Sequence, residues 1–483
     1  MRGSKRIAGA LVALACLAAA GPVRAAGEPP VKHVWVLILE NKNYDESFGP
    51  ASPAPYLAKT LRAQGQLLPN FYATTHLSLG NYIALVSGQA SNPVTQADAP
   101  AFTDVFPGTI GADGQAIGQG SVYPANVKTI ADQLDAKGLT WKGYMEDMGN
   151  SATEPKTCRH PAPNAMDSTQ SARRGDQYAA RHNPFVYFHS VIDDRARCDA
   201  HDVPLDRLQP DLASVATTPN YSFITPNLCN DGHDAPCVDG KPGGLRSADD
   251  FLKLWVPRIT ASPAYRAGGL LIVTFDEAEA AGSNPDATAC CNQQPGPNTP
   301  NPGGPVPGSG GGKVGSVLLS PWVRPGSVNP TPYNHYSLLR SVQALFGLGP
   351  LGYSGQAGLR SFGADVYNGT GPTTTTPACT PPALPRSRAG VLRRGSVVSR
   401  LRVVRRAGRA PLLEVRLVRA ARLSLKIFNT VRTGRVVRNR SVTLRPRPYR
   451  GCRTYRVGLQ FRHGRVAVRA AVGSASERRG LRF

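Results

Sequence analysis

The sequence predicts an α/β fold: a central, mostly parallel sheet with helices on both faces, followed by a small all-β, sandwich-like domain. Three observations predict it. Near-continuous apolar runs at Val31 to Glu40, Tyr221 to Thr225, Leu270 to Phe275 and Val314 to Leu319 have the length of strands buried on both faces. Segments of helical spacing, Lys128 to Lys137 and His335 to Phe346, alternate with them. Beyond residue 385 the pattern turns to period two, as in 413–417, 422–427 and 466–469, with one aliphatic and one arginine-rich face. That alternation suits antiparallel strands with one face in water.

The first 25 residues read as a secretory signal. Arg2, Lys5 and Arg6 make a basic start, Ile7 to Gly21 is apolar and uncharged, and Val23-Arg24-Ala25 supplies small residues for cleavage. The run is too short and too rich in Ala and Gly for a membrane span, so a secreted or extracytoplasmic chain is expected. Residues 27–366 are expected to form the α/β domain, 367–385 a Thr/Pro-rich linker and 386–483 the β domain. Eight cysteines follow the signal, an even number that in an exported chain favours disulfides. Cys229 with Cys237 would close a short loop, and Cys379 with Cys452 would pin the C-terminal region. No spacing has the paired C-x2-C form of a zinc-thiolate site.

Charge is concentrated at one end. Of a net +24, residues 381–483 contribute about +26, with 28 Lys and Arg against Glu414 and Glu477. Such a domain suits an anionic cell-envelope polymer or a membrane surface. A solvated basic surface is the rival reading. No aromatic platform for stacking bases is evident, which argues against specific nucleic-acid binding. The Gly-rich stretch ending in Gly312-Lys313 is not a phosphate loop, because Pro307 and Val314 stand where a glycine and a hydroxyl are required.

The chemistry-bearing residues cluster where apolar runs stop. Ligands in open α/β sheets sit beyond the carboxyl ends of strands. The first run ends in Glu40-Asn41, a carboxylate beside an amide oxygen; a solvated loop is the alternative. The 270–275 run ends in Asp276-Glu277. Adjacent acids at the end of a buried strand are unfavourable unless a cation neutralises them; acids at a helix start are the alternative. Two such ends in one sheet point to a shared metal site. Ser78 precedes an apolar helical stretch ended by Gly88, so it reads either as a nucleophile beside free N–H groups or as an ordinary N-cap. Asp231-Gly232-His233-Asp234 and Asn334-His335 supply two histidine segments.

Together these segments resemble the phosphoesterase family of bacterial acid phosphatases and phosphatidylcholine-type phospholipases C. The likeness runs through Glu40 to Gly49, His76 to Tyr82, Trp141 to Met148, His182 to Phe185, Asp231 to Asp234, Asp276-Glu277 and Asn334 to Ser337. Leu77 and Gly80 depart from the family's usual prolines, and Asn43 from its usual serine. The resemblance implies an alkaline-phosphatase-like fold and a phosphoric ester hydrolase. It also implies one divalent metal ion (Ca²⁺, Mg²⁺, Mn²⁺ or Zn²⁺) on Glu40, Asn41, Asp276 and Glu277, with Glu277 standing where two-metal relatives carry a histidine. By the same likeness Ser78 is the nucleophile, forming a phosphoserine intermediate. His233 and His335 are expected to bind phosphate or protonate the leaving group, while His76, Asn81, Asp231 and Asp234 contact substrate or orient those rings. The compact α/β region has no long apolar insertion to engage lipid. A small phosphate monoester is therefore the expected substrate, ahead of a phospholipid diester.

Overall fold

The computed structural model describes residues 28–372 apart from residue 283, together with strand backbone between residues 398 and 482. The expected signal, most of the linker and the Cys379–Cys452 pairing lie outside the described residues. The chain divides into two compact units, Met1–Pro372 and Thr373–Phe483.

The first unit is built on an eight-stranded sheet. In chain order its strands are β1 (Val34–Leu39), β2 (Gln66–Leu68), β3 (Trp141–Met145), β4 (Asp202–Pro204), β5 (Tyr221–Thr225), β6 (Leu270–Phe275), β7 (Ser316–Leu319) and β8 (Ser327–Val328). They lie in the order β8-β2-β7-β6-β1-β5-β3-β4. All neighbours run parallel except β7, which is antiparallel to both β6 and β2. Every residue of β1, β5 and β6 is buried. Successive side chains point to opposite faces, so both faces of the central strands are covered. That is the physical content of their unbroken apolar runs.

Four helices bear on the argument: α1 (Ser78–Ser87), α2 (Ile130–Ala136), α3 (Gly244–Thr260) and α4 (His335–Phe346). The expected 128–137 helix is α2, started by a Thr129–Asp132 capping box, and the 335–346 helix is α4, capped by Asn334. Helix α1 is buried along its whole length and packs against α4. It ends at Gly88, whose φ of 70° and close approach to the Leu351 carbonyl leave no room for a Cβ.

Three disulfides lie among the described residues: Cys158–Cys198, Cys229–Cys237 and the adjacent pair Cys290–Cys291. The first two stand beside Asp202 and Asp239, but bonded sulfurs offer no thiolate to a metal. No described helix is long and apolar enough to cross a membrane. The second unit holds a three-stranded and a four-stranded sheet, both antiparallel throughout. The arginine face expected of these strands lies outside the described side chains.

Candidate active site

The site forms at the carboxyl edge of β1, β5 and β6. Parallel pairing in the register Leu39↔Phe275 sets the next residues, Glu40 and Asp276, side by side. The Glu40 N–H donates to the Asp231 carbonyl at 2.9 Å, which draws the loop after β5 alongside. Asn41 turns the chain in the left-handed region with φ 48°, a conformation asparagine tolerates. Its N–H donates to Asp276 Oδ1 at 3.0 Å and its Nδ2 to Glu277 Oε1 at 2.8 Å. Glu40, Asp231, Asp276 and Glu277 are all buried.

Ser78 is the first residue of α1, and its Oγ donates to Glu40 Oε2 at 2.7 Å. One turn on, the Tyr82 hydroxyl donates to the other oxygen, Oε1, at 2.5 Å. The Tyr82 ring stacks on His182 with centroids 5.3 Å apart and planes 11° apart. His182 Nε2 lies 3.4 Å from Glu40 Oε2 and its Nδ1 3.9 Å from Asp231 Oδ2. Both ring nitrogens are buried without a hydrogen-bond partner.

Electrostatics follow from burial. Desolvation, then repulsion from Asp276 and Asp231, pushes the Glu40 carboxyl well above its usual range, against the Tyr82 and Ser78 hydrogen bonds. Burial likewise raises Asp231 and Glu277 strongly and Asp276 to about 6. Burial lowers His182 far below its ordinary value and His335 to about 4. Buried carboxylates crowded together resist ionising, and the histidines beside them resist becoming cations. Asn41 Oδ1, Asp276 Oδ2 and Asp231 Oδ2 are buried with no donor. Buried oxygens without donors are unfavourable unless something else satisfies them. The arrangement is open, and no three His, Asp or Glu donors of this centre lie mutually within 4.8 Å among the described residues.

A model of the Phosphoesterase family matches residues 54–349, more than half of the sequence. The chain belongs to that family. An acid phosphatase of Aspergillus fumigatus is 29% identical over 322 residues, covering 66% of this chain and 55% of the relative. A phosphatidylinositol-3-phosphatase of Mycobacterium tuberculosis is 25% identical over 329 residues, covering 68% of this chain and 81% of the relative. The chain thus spans under two thirds of the length of the fungal acid phosphatases it matches. Among solved structures, a protein in the alkaline phosphatase superfamily from Vibrio parahaemolyticus superposes at a TM-score of 0.38 with 12% identity, over 67% of this chain and 68% of its own.

Within the family fold, the candidate residues divide into three groups. Glu40, Asn41, Ser78, Asp231, Asp276 and Glu277 come together. His76, Asn81 and His335 are fully buried; the chain engages the first two but only Nε2 of His335, whose Nδ1 is buried without a partner. His76 meets Glu277 through Nδ1 and the Asp286 carbonyl through Nε2, the latter at 3.0 Å. The Asn81 Oδ1 accepts from Thr74 N, Thr74 Oγ1 and Thr75 N at 3.0–3.1 Å, and its Nδ2 donates to Thr75 O at 2.7 Å. His335 Nε2 lies 2.5 Å from the Asp276 carbonyl. His233 and Asp234 stand at the rim, with His233 Nδ1 3.6 Å from Asp234 Oδ1 and side chains 48% and 39% exposed. Glu277 Oε1 accepts from Asn41 Nδ2 and its Oε2 meets His76 Nδ1, just as both Glu40 oxygens meet Ser78 and Tyr82.

Four residues to which sequence reasoning gave no role also belong here: Tyr82, His182, Arg181 and Asp98. Tyr82 carries a readable signal, since position i+4 from Ser78 shares its helix face. The other three are delivered by irregular chain far from any strand end.

Proposed function

We propose that this protein is a secreted phosphoric ester hydrolase that cleaves phosphate monoesters through a phosphoserine intermediate on Ser78. The observation that carries this reading is the buried hydrogen bond of Ser78 to Glu40, in a centre where carboxylates outnumber cations and three oxygens lack donors. The relatives named as acid phosphatases and as a phosphatidylinositol-3-phosphatase support a phosphatase over a diesterase.

The donor set fits one divalent cation. Asn41 Oδ1 and Asp276 Oδ2, which lack donors, would hold it together with the Glu40 and Glu277 carboxyl groups, and all-oxygen donors favour Ca²⁺, Mg²⁺ or Mn²⁺ over softer ions. Bound there, such an ion supplies charge neutralisation and lowers the pKa of the serine hydroxyl. The chain's own residues do the rest. Glu40 Oε2 orients the Ser78 Oγ, Tyr82 fixes Glu40 from the other side, and Asn81 holds the 74–75 backbone just ahead of the nucleophile. Ser78 Oγ attacks phosphorus as its proton passes to Glu40 Oε2, its hydrogen-bond acceptor, and the P–O bond to the alcohol breaks. On this reading His233, half-exposed at the rim, protonates the departing alcohol in its cationic form. Water then releases phosphate from the serine.

The test pairs Ser78→Ala with metal analysis before and after chelation. The variant should keep its fold and lose nearly all turnover of p-nitrophenyl phosphate, and chelation should silence the parent protein. Near-parental turnover by the variant removes the serine from its assigned role.

A further inference from the structure

Arg181 precedes His182 and is nine-tenths buried. A guanidinium so placed is unfavourable unless it is paired. Its Nη1 donates to the Gln170 carbonyl at 3.0 Å, and its Nε lies 3.5 Å from Asp98 Oδ2. The second oxygen of Asp98, Oδ1, accepts from the N–H of Leu79 at 2.9 Å. Leu79 directly follows Ser78. Asp98 therefore ties Arg181 to the first turn of the helix that presents the serine. Among the described residues, no protein acceptor takes up Nη2 of Arg181. Burial opposes the charge, but Asp98, then Glu40 and Asp231, outweigh it and keep the guanidinium protonated. Arg181 is thus a permanent cation beside this acidic centre, and the other one nearby, Lys42, is already taken up by the Asn41 carbonyl and Glu279.

We infer that Arg181 binds a non-bridging oxygen of the substrate phosphoryl group through Nη2, and that Asp98 is the positioning residue that holds it there. The inference rests on the reading of Ser78 as the nucleophile and adds a selectivity to it. A monoester dianion carries one more negative charge than a diester on the same phosphorus. A fixed guanidinium therefore favours the monoester, and its planar fork gives the contact direction as well as charge. The rival account makes Arg181 only a counter-ion for Asp98 and a cap for the Gln170 carbonyl.

The experiment compares the full-length protein with Arg181→Gln and Arg181→Lys on p-nitrophenyl phosphate and on bis(p-nitrophenyl) phosphate, with inorganic phosphate as inhibitor. For Arg181→Gln, kcat/KM on the monoester should fall about 100- to 1000-fold, the loss typical of one transition-state charge donor. The phosphate inhibition constant should rise at least about tenfold, and the diester should lose less than about tenfold. Millimolar guanidinium should restore part of the monoester rate only. Arg181→Lys, which keeps the buried charge, should fold like the parent and show the same ordering with smaller losses. Equal losses on the two esters in folded variants, or an unchanged phosphate inhibition constant, overturns the inference. The Ser78→Ala chain separates this outcome from failure of the nucleophile assignment. Phosphate should raise its melting temperature, and should not do so in Ser78→Ala/Arg181→Gln. Equal protection of both chains overturns the role of Arg181, whatever the turnover data say about Ser78.

Discussion

Replacing Tyr82 by phenylalanine isolates one hydrogen bond at the centre of the proposed mechanism. The ring is fully buried between His182, stacked at 5.3 Å, and Phe223, edge-on at 6.0 Å. Phenylalanine keeps both contacts and removes only the hydroxyl that donates to Glu40 Oε1. A hydrogen bond to a charged acceptor contributes about 1.5–3 kcal/mol, or roughly 10- to 150-fold in an equilibrium. Partners that orient metal ligands typically account for 10- to 100-fold in affinity. The cation concentration giving half-maximal turnover should therefore rise about 10- to 100-fold, while kcat at saturating cation changes little. The Tyr82 bond also lowers the Glu40 pKa, so its loss raises that pKa further. Protons then compete better with the cation, and the acidic limb of the pH–rate profile moves to higher pH. The assay is titration of Mg²⁺, Ca²⁺ or Mn²⁺ into chelated protein, followed by p-nitrophenol release. A folded Tyr82→Phe whose cation titration and acidic limb overlay those of the parent refutes the reasoning and removes the basis for Glu40 as a ligand.

Two further predictions concern residues away from the reacting atoms. Asp202 is buried, its Oδ2 accepts from Asn183, and burial lifts its pKa to about 7. A carboxyl raised on folding contributes stability that is full below its unfolded pKa and lost as pH rises through the folded value. Asp202→Asn should abolish that loss, so the gap in melting temperature between variant and parent should widen from pH 5 to pH 8; a gap independent of pH contradicts it. Asn81→Ala should destabilise the chain by about 2–4 kcal/mol in urea titration, because buried N–H groups of Thr74 and Thr75 lose their acceptor. It should leave the inhibition constant for phosphate unchanged, since the amide is fully used by the chain; a large rise restores Asn81 as a substrate contact.

How much of this was legible depends on which link of the chain carries the information. The strand-end acids were readable because a buried parallel strand must be apolar to its last residue, so an acid there is conspicuous. The register Leu39↔Phe275 then makes neighbours of Glu40 and Asp276. Ser78 was readable as a helix start, and α4 was readable to its ends. The polar residues near them were harder. A buried histidine or asparagine looks the same in sequence whether it serves a ligand or the backbone, and His76 and Asn81 spend their hydrogen bonds on the chain. Arg181 and His182 carry no periodic signal at all. They arrive through the irregular stretch between β3 and β4, which the Cys158–Cys198 disulfide closes on itself. Asp98 reaches α1 from a left-handed turn with φ 54°. Tertiary path places these three; of them only His182 lies in a stretch that carries the family likeness, 182–185, and that stretch assigns it no role.

The same placement explains why, on the proposed reading, a cation is required by the fold as well as by the chemistry. Glu40, Asp231, Asp276 and Glu277 are buried, and Asp98 adds a fifth carboxylate close by. Arg181 offsets one charge, and the buried histidines offset none because desolvation keeps them neutral. Without an ion the carboxylates relieve their repulsion by taking up protons, which is what their raised pKa values express. Ion and protons therefore compete for the same oxygens. For the proposed phosphatase, work in acid therefore requires a site that outcompetes protons. The hydrogen bonds from Tyr82 to Glu40, and from Asn41 N–H to Asp276, act in that direction, because each lowers the pKa of the carboxylate it touches. The side chains that orient the carboxylates are thus the ones that set how far into acid the centre can work.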